Sequence, residues 1–324
     1  MTEPIESGAS TGGQVTLIHL GEVRVQEATG EVTPCRVKGT LKSRASREEA
    51  HAVAVGDYVR FRRESDGTGW IEEILPRTSF LARADPRRPG IRHVLVANMD
   101  QLVIVVSLQK PRYKLGLIDR YLAAANVGKI PPVLVVNKVD LGPESGISHL
   151  QEVYSGLDLP LIPVSAQSGD GLAEFKRVLE GKTSVLVGHS GVGKSSLVNA
   201  LNAELALPTA EVSRATDKGR HTTTWIRMIE VAPGIKIVDS AGIREFKPFG
   251  LRADELVYHF PEMIAFMDGC RFRDCTHMNE AGCAVRAAVE RGEISRARFM
   301  SYLRILEELN QSGPRVRPSG QNQF

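Results

Sequence analysis

The chain has 324 residues, of which 42% are hydrophobic and 24% are charged, and its formal net charge is +3. This length and composition predict a globular chain of about two or three domains, and no apolar run approaches the roughly 20 residues of a membrane helix. A charge so close to neutral excludes nucleic-acid binding through a global electrostatic field, so any such binding must depend on local patches.

The N-terminal segment, residues 1–13, is polar and rich in Ser, Gly and Thr, without the basic and apolar regions of a signal peptide. We therefore expect it to be a disordered tail of a cytoplasmic protein, and residues 313–324 to form a polar tail at the other end. In a reducing compartment, three clustered cysteines near the C-terminus favour a metal site over disulfides.

Short runs of alternating apolar and polar residues, separated by turn residues, occupy residues 14–80. The runs span residues 15–19, 22–26, 34–41, 58–62 and 69–74. Five short strands in this space predict a small, OB-like β-barrel, while an SH3-like or another five-stranded barrel stays open as an alternative.

A basic connector follows the barrel, and proline interrupts it twice. It is either a solvated linker or a patch that contacts phosphates. Its arginines are Arg77, Arg83, Arg87, Arg88 and Arg92.

From residue 100 onwards the pattern becomes an alternation of strands and helices. The run 101–107 is apolar throughout, as is typical of a strand buried on both faces of a parallel sheet. Such alternation predicts a doubly wound α/β domain. The predicted strands are 101–107, 132–136, 161–164 and 183–187, and the predicted helices are 117–127, 148–156 and 171–180.

Residues 188–195 match G-x-x-x-x-G-K-[ST], between a predicted strand and a predicted helix at 196–202. Backbone N–H groups of such a loop and the following helix N-terminus bind phosphate. Lys194 would reach the β- and γ-phosphates and Ser195 would bind Mg²⁺, whereas the alternative is a plain Gly-rich turn. The predicted nucleotide contacts are Gly188, His189, Ser190, Gly191, Val192, Gly193, Lys194, Ser195 and Ser196.

A base-recognition motif, Asn137-Lys138-x-Asp140, follows the buried strand 132–136. The Asp140 carboxylate can accept from both N1–H and N2–H of guanine, a pairing that adenine cannot satisfy. Asn137 would lie near the ring and the Lys138 stem over the purine face, while the backbone at Ser165 and Ala166 would donate to O6. These motifs together predict GTP and argue against a P-loop ATPase.

Two further segments after the P-loop match the γ-phosphate side of a GTPase. Thr223 would complete the Mg²⁺ shell, although Thr222 and Thr224 stay open as alternatives. Asp239 would hold Mg²⁺ directly or through water, and the Gly242 N–H would contact the γ-phosphate. Strands are predicted at 226–231 and 236–238.

The guanine motifs precede the P-loop, which reverses the usual GTPase order. The sheet can still close if the cut falls in a surface connection, so the order predicts a circularly permuted GTPase domain. We expect the barrel at 14–80, this domain at 81–258, and a helical zinc-binding domain at 259–312.

The cysteine cluster reads Cys270-x4-Cys275-x-His277-x5-Cys283. Three thiolates and one imidazole are the donor set of a structural zinc site, and four protein ligands leave no open position for catalysis. The alternative is a set of free cysteines beside an unrelated histidine. A helix is predicted at 294–309.

The sequence resembles the RsgA (YjeQ) family of small ribosomal subunit biogenesis GTPases over about residues 14–310. The resemblance rests on VGDYVRF, EEILPRTSFLAR, ANMDQLVIVVS, LIDRYL, NKVD, GVGKSSLVNAL, GRHTTT, DSAGIREF and the cysteine cluster. It implies an OB domain, a permuted GTPase domain and a zinc domain. It also implies binding to the small subunit and its rRNA late in maturation, with GTP hydrolysis stimulated by the subunit. The chain departs from the family in His189, where Gln is usual, and in Ala241, where Pro is usual.

The position of the water-orienting glutamine of Ras-like enzymes holds Ile243 in this chain. We hypothesise that His221 orients the water once the ribosome orders its loop, with Lys194 and Thr223 completing the catalytic set. In the alternative, His221 is solvent-exposed or structural. A monomer is expected, and the competing function is a nucleotide-gated rRNA-binding scaffold with negligible turnover.

Overall fold

The structure is a computed structural model, which describes residues 10–19, 21–41, 49, 51–84, 91–202, 226–240 and 250–312. Five N-terminal strands form the barrel, and their alternation buries one side chain in two, as with Val23 and Val25 in the second strand. The strands are β1 (Thr11–His19), β2 (Glu22–Gln26), β3 (Val32–Val37), β4 (Tyr58–Arg63) and β5 (Gly69–Ile74).

The barrel closes in the order β1-β2-β3-β5-β4, with β4 pairing back onto β1. The β3–β5 pair is parallel and the other pairs are antiparallel. This non-sequential order is that of a Greek-key barrel rather than of an up-and-down barrel. The expectation of an OB-like barrel is confirmed.

The basic connector is not a solvated linker in the part that the structure describes. Strands β6 (Phe80–Ala84) and β7 (Arg92–Ala97) form an antiparallel hairpin. Arg77 lies 2.7 Å from the buried Asp57 and 2.9 Å from Glu49, and Arg92 lies 2.6 Å from Glu49. The interpretation of these two arginines as part of a solvated linker is therefore wrong, because carboxylates of this chain already pair with them. Arg87 and Arg88 lie outside the described residues.

The α/β domain is built on a sheet with the order β10-β9-β8-β11-β13-β12. Neighbours from β10 to β13 are parallel, and β12 is antiparallel to β13. All residues of β8 are buried, as predicted for a strand covered on both faces. The strands are β8 (Gln101–Ser107), β9 (Pro132–Asn137), β10 (Leu161–Pro163), β11 (Thr183–Val187), β12 (Ile226–Ala232) and β13 (Ile235–Ser240).

The four helices that the structure describes in this domain agree in place with the prediction, with ends that differ by three residues at most. They are α1 (Leu115–Gly128), α2 (Ser145–Val153), α3 (Leu172–Leu179) and α4 (Lys194–Leu201). Among the described residues, no helix is both long and apolar enough to cross a membrane.

The barrel and the α/β domain share one continuous sheet of eleven strands. Strand β1 pairs antiparallel with β12, with Leu17 opposite Arg227 and Ile18 opposite Ile226. The sequence did not predict this junction, because neither strand pattern specifies its neighbour across the domain boundary.

The C-terminal helices pack around their own core, which includes Leu256, Phe260, Met263, Val285 and Leu306. The last helix also packs against α1 of the α/β domain. The helices are α5 (Pro261–Met267), α6 (Ala284–Glu290) and α7 (Arg296–Ser312). The helix predicted at 294–309 corresponds to α7.

Candidate nucleotide site and metal cluster

The P-loop connects β11 to α4, and two of its glycines are required by their surroundings. Gly188 has φ +146°, and a Cβ there would lie 2.1 Å from the Val105 carbonyl oxygen. Gly193 has φ +97°, and a Cβ there would lie 2.3 Å from Asn137 Nδ2. Any side chain at these positions would push the loop away from the ends of β8 and β9, so the close approach depends on glycine.

Lys194 begins α4 and reaches back over the loop. Its Nζ donates to the carbonyl oxygens of Gly188 at 2.7 Å and His189 at 3.2 Å. The ammonium group therefore lies beside the loop backbone, near the helix N-terminus, where positive charge and N–H groups favour an anion. Ser195 and Ser196 occupy the first turn of α4, and His189 is exposed.

Asn137 connects the guanine motif to the P-loop. Its Nδ2 donates to the Val192 carbonyl oxygen at 2.8 Å, and the Ala166 N–H donates to its Oδ1 at 3.2 Å. The side chain is 1% exposed, so it stabilises both loops from beneath. The sequence located Asn137 at the site but did not predict this bracing role, because the contact depends on β9 and β11 lying on either side of β8.

Lys138 makes a second connection, since its Nζ donates to the Gly191 carbonyl oxygen at 2.7 Å. Burial lowers the pKa of Lys138, an effect that the charge of Asp140 opposes and that of Lys110 reinforces. The ammonium thus lies over the P-loop backbone, and its stem spans the space between the base motif and the loop.

Asp140 is exposed, and Ser165 orients it. The Ser165 Oγ donates to Asp140 Oδ1 at 2.6 Å. Ser165 is fully buried, and its Oγ accepts from the backbone N–H groups of Gln167 and Ser168. The hydrogen bond from Ser165 Oγ holds the Asp140 carboxylate at the surface, beside the loop that contains Ser165. The role of the Ser165 side chain was not predicted from the sequence.

The γ-phosphate side is only partly within the described residues. His221, Thr222, Thr223, Thr224 and Gly242 lie outside them. The backbone of Asp239 belongs to β13, where Asp239 pairs in register with Arg227 of β12.

The four candidate metal ligands converge in the C-terminal domain. Their ligand atoms all lie within 4.8 Å of one another, and His277 Nδ1 is 3.4 Å from Cys283 Sγ and 3.7 Å from Cys270 Sγ. His277 adopts φ +61°, a left-handed turn that brings its ring back to the thiols. The cluster consists of Cys270, Cys275, His277 and Cys283.

The donor chemistry of this cluster fits a metal ion. Burial raises the pKa values of Cys275 and Cys283, so several adjacent thiolates require a compensating cation. The remaining cysteine, Cys35, lies in the barrel, where burial raises the pKa of its thiol to about 11. We conclude that the cluster can bind a metal ion.

The comparison with known proteins identifies the family. The sequence profile of the family described as RsgA GTPase matches residues 74–249. A relative from Chlorobaculum tepidum, named Small ribosomal subunit biogenesis GTPase RsgA, is 40% identical over 306 residues, which cover 92% of this chain and 97% of the relative. The chain belongs to the RsgA GTPase family. A Porphyromonas gingivalis RsgA is 40% identical over 292 residues, which cover 88% of this chain and 92% of that one.

Solved structures agree with membership of the RsgA family. YjeQ from Thermotoga maritima matches with a TM-score of 0.73 and 33% identity, covering 93% of this chain and 99% of that one. YloQ, described as a circularly permuted GTPase, matches with a TM-score of 0.71 and 28% identity, covering 97% and 100%. The permuted order predicted from the motifs is therefore confirmed, and the chain is a GTPase.

Proposed function

We propose that this RsgA-family GTPase binds the small ribosomal subunit, contacts its rRNA and hydrolyses GTP to GDP and phosphate late in the maturation of that subunit. We further propose that the subunit stimulates hydrolysis. The observation that carries the nucleotide part of this proposal is the bond from Asn137 to the Val192 carbonyl oxygen, which connects the base motif to the phosphate loop. The small-subunit part is supported by relatives that are named for small-subunit biogenesis.

In the proposed GTP complex, the base is read by Asp140 and the neighbouring loop, and the phosphates lie in the P-loop. The buried Asn137 acts by positioning both loops. The proposed GTP-binding residues are Asn137, Lys138, Asp140, Ser165, Ala166, Gly188, His189, Ser190, Gly191, Val192, Gly193, Lys194, Ser195, Ser196, Asp239 and Gly242.

Hydrolysis in this proposal needs charge compensation and an oriented water. Lys194 stabilises negative charge that develops on the phosphates. Ser195, Thr223 and Asp239 supply hydroxyl and carboxylate oxygens, the donor type that Mg²⁺ prefers. When bound, Mg²⁺ would neutralise phosphate charge. His221 holds the attacking water through its imidazole.

The decisive experiment is GTP turnover measured with and without purified small subunits. We expect slow hydrolysis by the chain alone and an acceleration of several powers of ten with subunits, because the clamp is assembled only on the ribosome. Turnover that stays negligible with subunits would instead support the scaffold function. His221→Ala should abolish the acceleration with GTP affinity retained, and wild-type acceleration in this variant would rule out the proposed role of His221.

We propose that Cys270, Cys275, His277 and Cys283 hold one zinc ion. A tetrahedron completed by protein ligands offers no position for substrate, so the role of zinc is to stabilise this small domain. Elemental analysis of the purified chain should find one zinc per chain.

The expected start of the barrel at residue 14 is wrong, because β1 begins at Thr11 and pairs with β4 from that residue. We therefore propose boundaries of 11–80 for the barrel, 81–258 for the GTPase domain and 259–312 for the zinc domain, with tails at 1–10 and 313–324. We propose that the chain acts as a monomer in the cytoplasm, where its partner is assembled. Sedimentation of the purified chain tests the monomer.

A further inference from the structure

A cavity of about 230 Å³ opens where the barrel meets the GTPase sheet. Its basic residues come from both domains: His19 and Arg24 from the barrel, and Arg227 from β12. Among the described residues that line it, Glu22 is the acidic one and lies 2.8 Å from Arg24. Leu17 completes the wall. We name this cavity the seam cavity.

Strand register explains why these cations face one space. Leu17 of β1 is opposite Arg24 on β2 and opposite Arg227 on β12. Directly opposed residues of antiparallel strands lie on the same face of the sheet, about 5 Å apart. The two arginines therefore flank Leu17, roughly 10 Å from one another. The next residue along β1, Ile18, and its partner Ile226 on β12 pack towards the core on the opposite face.

We propose that the seam cavity binds a phosphodiester group of RNA between Arg24 and Arg227. The planar guanidinium fork matches phosphate oxygens and makes short, charge-assisted hydrogen bonds. Arg24 is half exposed, so it can exchange Glu22 for a stronger anion at little cost, since a surface ion pair contributes little. The inference rests on the proposed function, which brings this chain onto RNA.

The position of the seam cavity gives the contact a consequence. Arg227 is the register partner of Asp239, and Ile226 is that of Ser240. An RNA phosphate held here contacts the barrel and the very strand pair that leads into the γ-phosphate side of the GTP site.

The test is equilibrium binding of the full chain to RNA extracted from small subunits, over a series of KCl concentrations, with a non-hydrolysable GTP analogue. The affinity falls as the salt concentration rises, and loss of one phosphate contact makes the plot of log K against log salt less steep by about one unit. We expect this change, and a roughly tenfold weaker affinity at low salt, for Arg24→Gln and for Arg227→Gln. We expect the phosphate to be held only when both guanidinium groups contact it, so the double variant should lose about one slope unit, as each single variant does, and not two.

Two further variants keep the result interpretable. Arg24→Lys retains the charge and should keep the wild-type slope. The matched control is Arg177→Gln, which changes an exposed arginine that also pairs with one glutamate, Glu174, and should bind as wild type. If Arg227→Gln lowers the melting temperature, its weaker binding can follow from a less stable fold. The test of phosphate binding then depends on Arg24→Gln and Arg24→Lys.

Wild-type slopes in Arg24→Gln would overturn the inference. So would variants that bind RNA normally but whole subunits weakly, since the occupant would then be an acidic protein surface. If the wild type does not bind whole subunits, the proposed function is contradicted, but the slopes measured on extracted RNA still test phosphate binding in the seam cavity. If the wild type binds neither whole subunits nor extracted RNA, the proposed function and the seam-cavity proposal are both overturned.

Discussion

Arg298 of α7 donates to Asp119 of α1 at 2.6 Å, although the two residues are 179 positions apart and each side chain is 1% exposed. Arg298 also pairs with Glu262 at 2.7 Å and lies over the Phe260 ring at 4.5 Å. Tyr154 donates to the same Asp119 oxygen. This buried network attaches the C-terminal domain to the GTPase domain.

Arg298→Ala should lower the free energy of unfolding by about 3–5 kcal/mol, because it leaves two carboxylates buried without their cation. Chemical denaturation with urea measures the loss. Arg252→Ala is the matched control, since Arg252 pairs with Asp254 at the exposed surface, where an ion pair contributes at most about 1 kcal/mol. Equal losses in the two variants would contradict the importance of burial.

Asn137→Ala should weaken GTP binding by about tenfold, because it leaves the Val192 carbonyl oxygen and the Ala166 N–H without their partner. Titration with a fluorescent GTP analogue measures the affinity. Gln167→Ala removes an exposed amide from the neighbouring loop and should bind as wild type. A GTP affinity of Asn137→Ala within twofold of the wild type would show that GTP binding does not depend on the hydrogen bonds of Asn137 to the two loops.

Asp140→Asn should reverse the base preference from guanine to xanthine nucleotides. The substitution replaces one carboxylate acceptor with an amide donor, and xanthine presents a carbonyl oxygen where guanine has its amino group. Competition between GTP and XTP measures the preference. The control is Asp170→Asn, since Asp170 also accepts from a serine hydroxyl close by. Unchanged preference for GTP would reopen the assignment of the base site.

Cys283→Ser should remove most of the bound zinc and lower the melting temperature of the C-terminal domain, because metal-binding free energy contributes to folding. Elemental analysis and thermal unfolding measure the two effects. Cys35→Ser alters the cysteine that lies in the barrel and should retain the zinc. Wild-type zinc content in Cys283→Ser would exclude Cys283 as a ligand.

Acid should destabilise the chain partly through His259. Burial lowers the pKa of His259 below its ordinary value of 6.5, with the charge of Glu255 opposing the shift. The unfolded chain therefore binds a proton near pH 6.5, while the folded chain resists it, so stability falls as the pH drops below that value.

His259 also contacts the Asn126 side chain of α1, so the effect reports on the interface between the C-terminal and GTPase domains. Melting temperatures measured from pH 8 to pH 5 should fall less steeply in His259→Gln than in the wild type. His149→Gln changes an exposed histidine and serves as the control. Identical profiles for wild type and His259→Gln would assign the acid sensitivity to other groups.

Local patterns predicted the strands and helices of the GTPase domain well. The apolar run 101–107 became β8 with the same bounds, because a strand buried on both faces leaves a signal that needs no knowledge of its neighbours. The hairpin of β6 and β7 was not predicted, because arginine and proline residues interrupt the alternation of apolar and polar residues. Arg77 was misinterpreted for a related reason, because its partners Asp57 and Glu49 are distant in sequence.

The sequence by itself determined the nucleotide class, the permuted order and the metal donor set, because each depends on a short motif whose chemistry is local. Only the tertiary structure decided how these parts act on one another. Asn137 beneath the P-loop, β1 beside β12, and Arg298 against Asp119 each join residues far apart in the chain. Such contacts arise from the packing of whole elements, which no local pattern encodes.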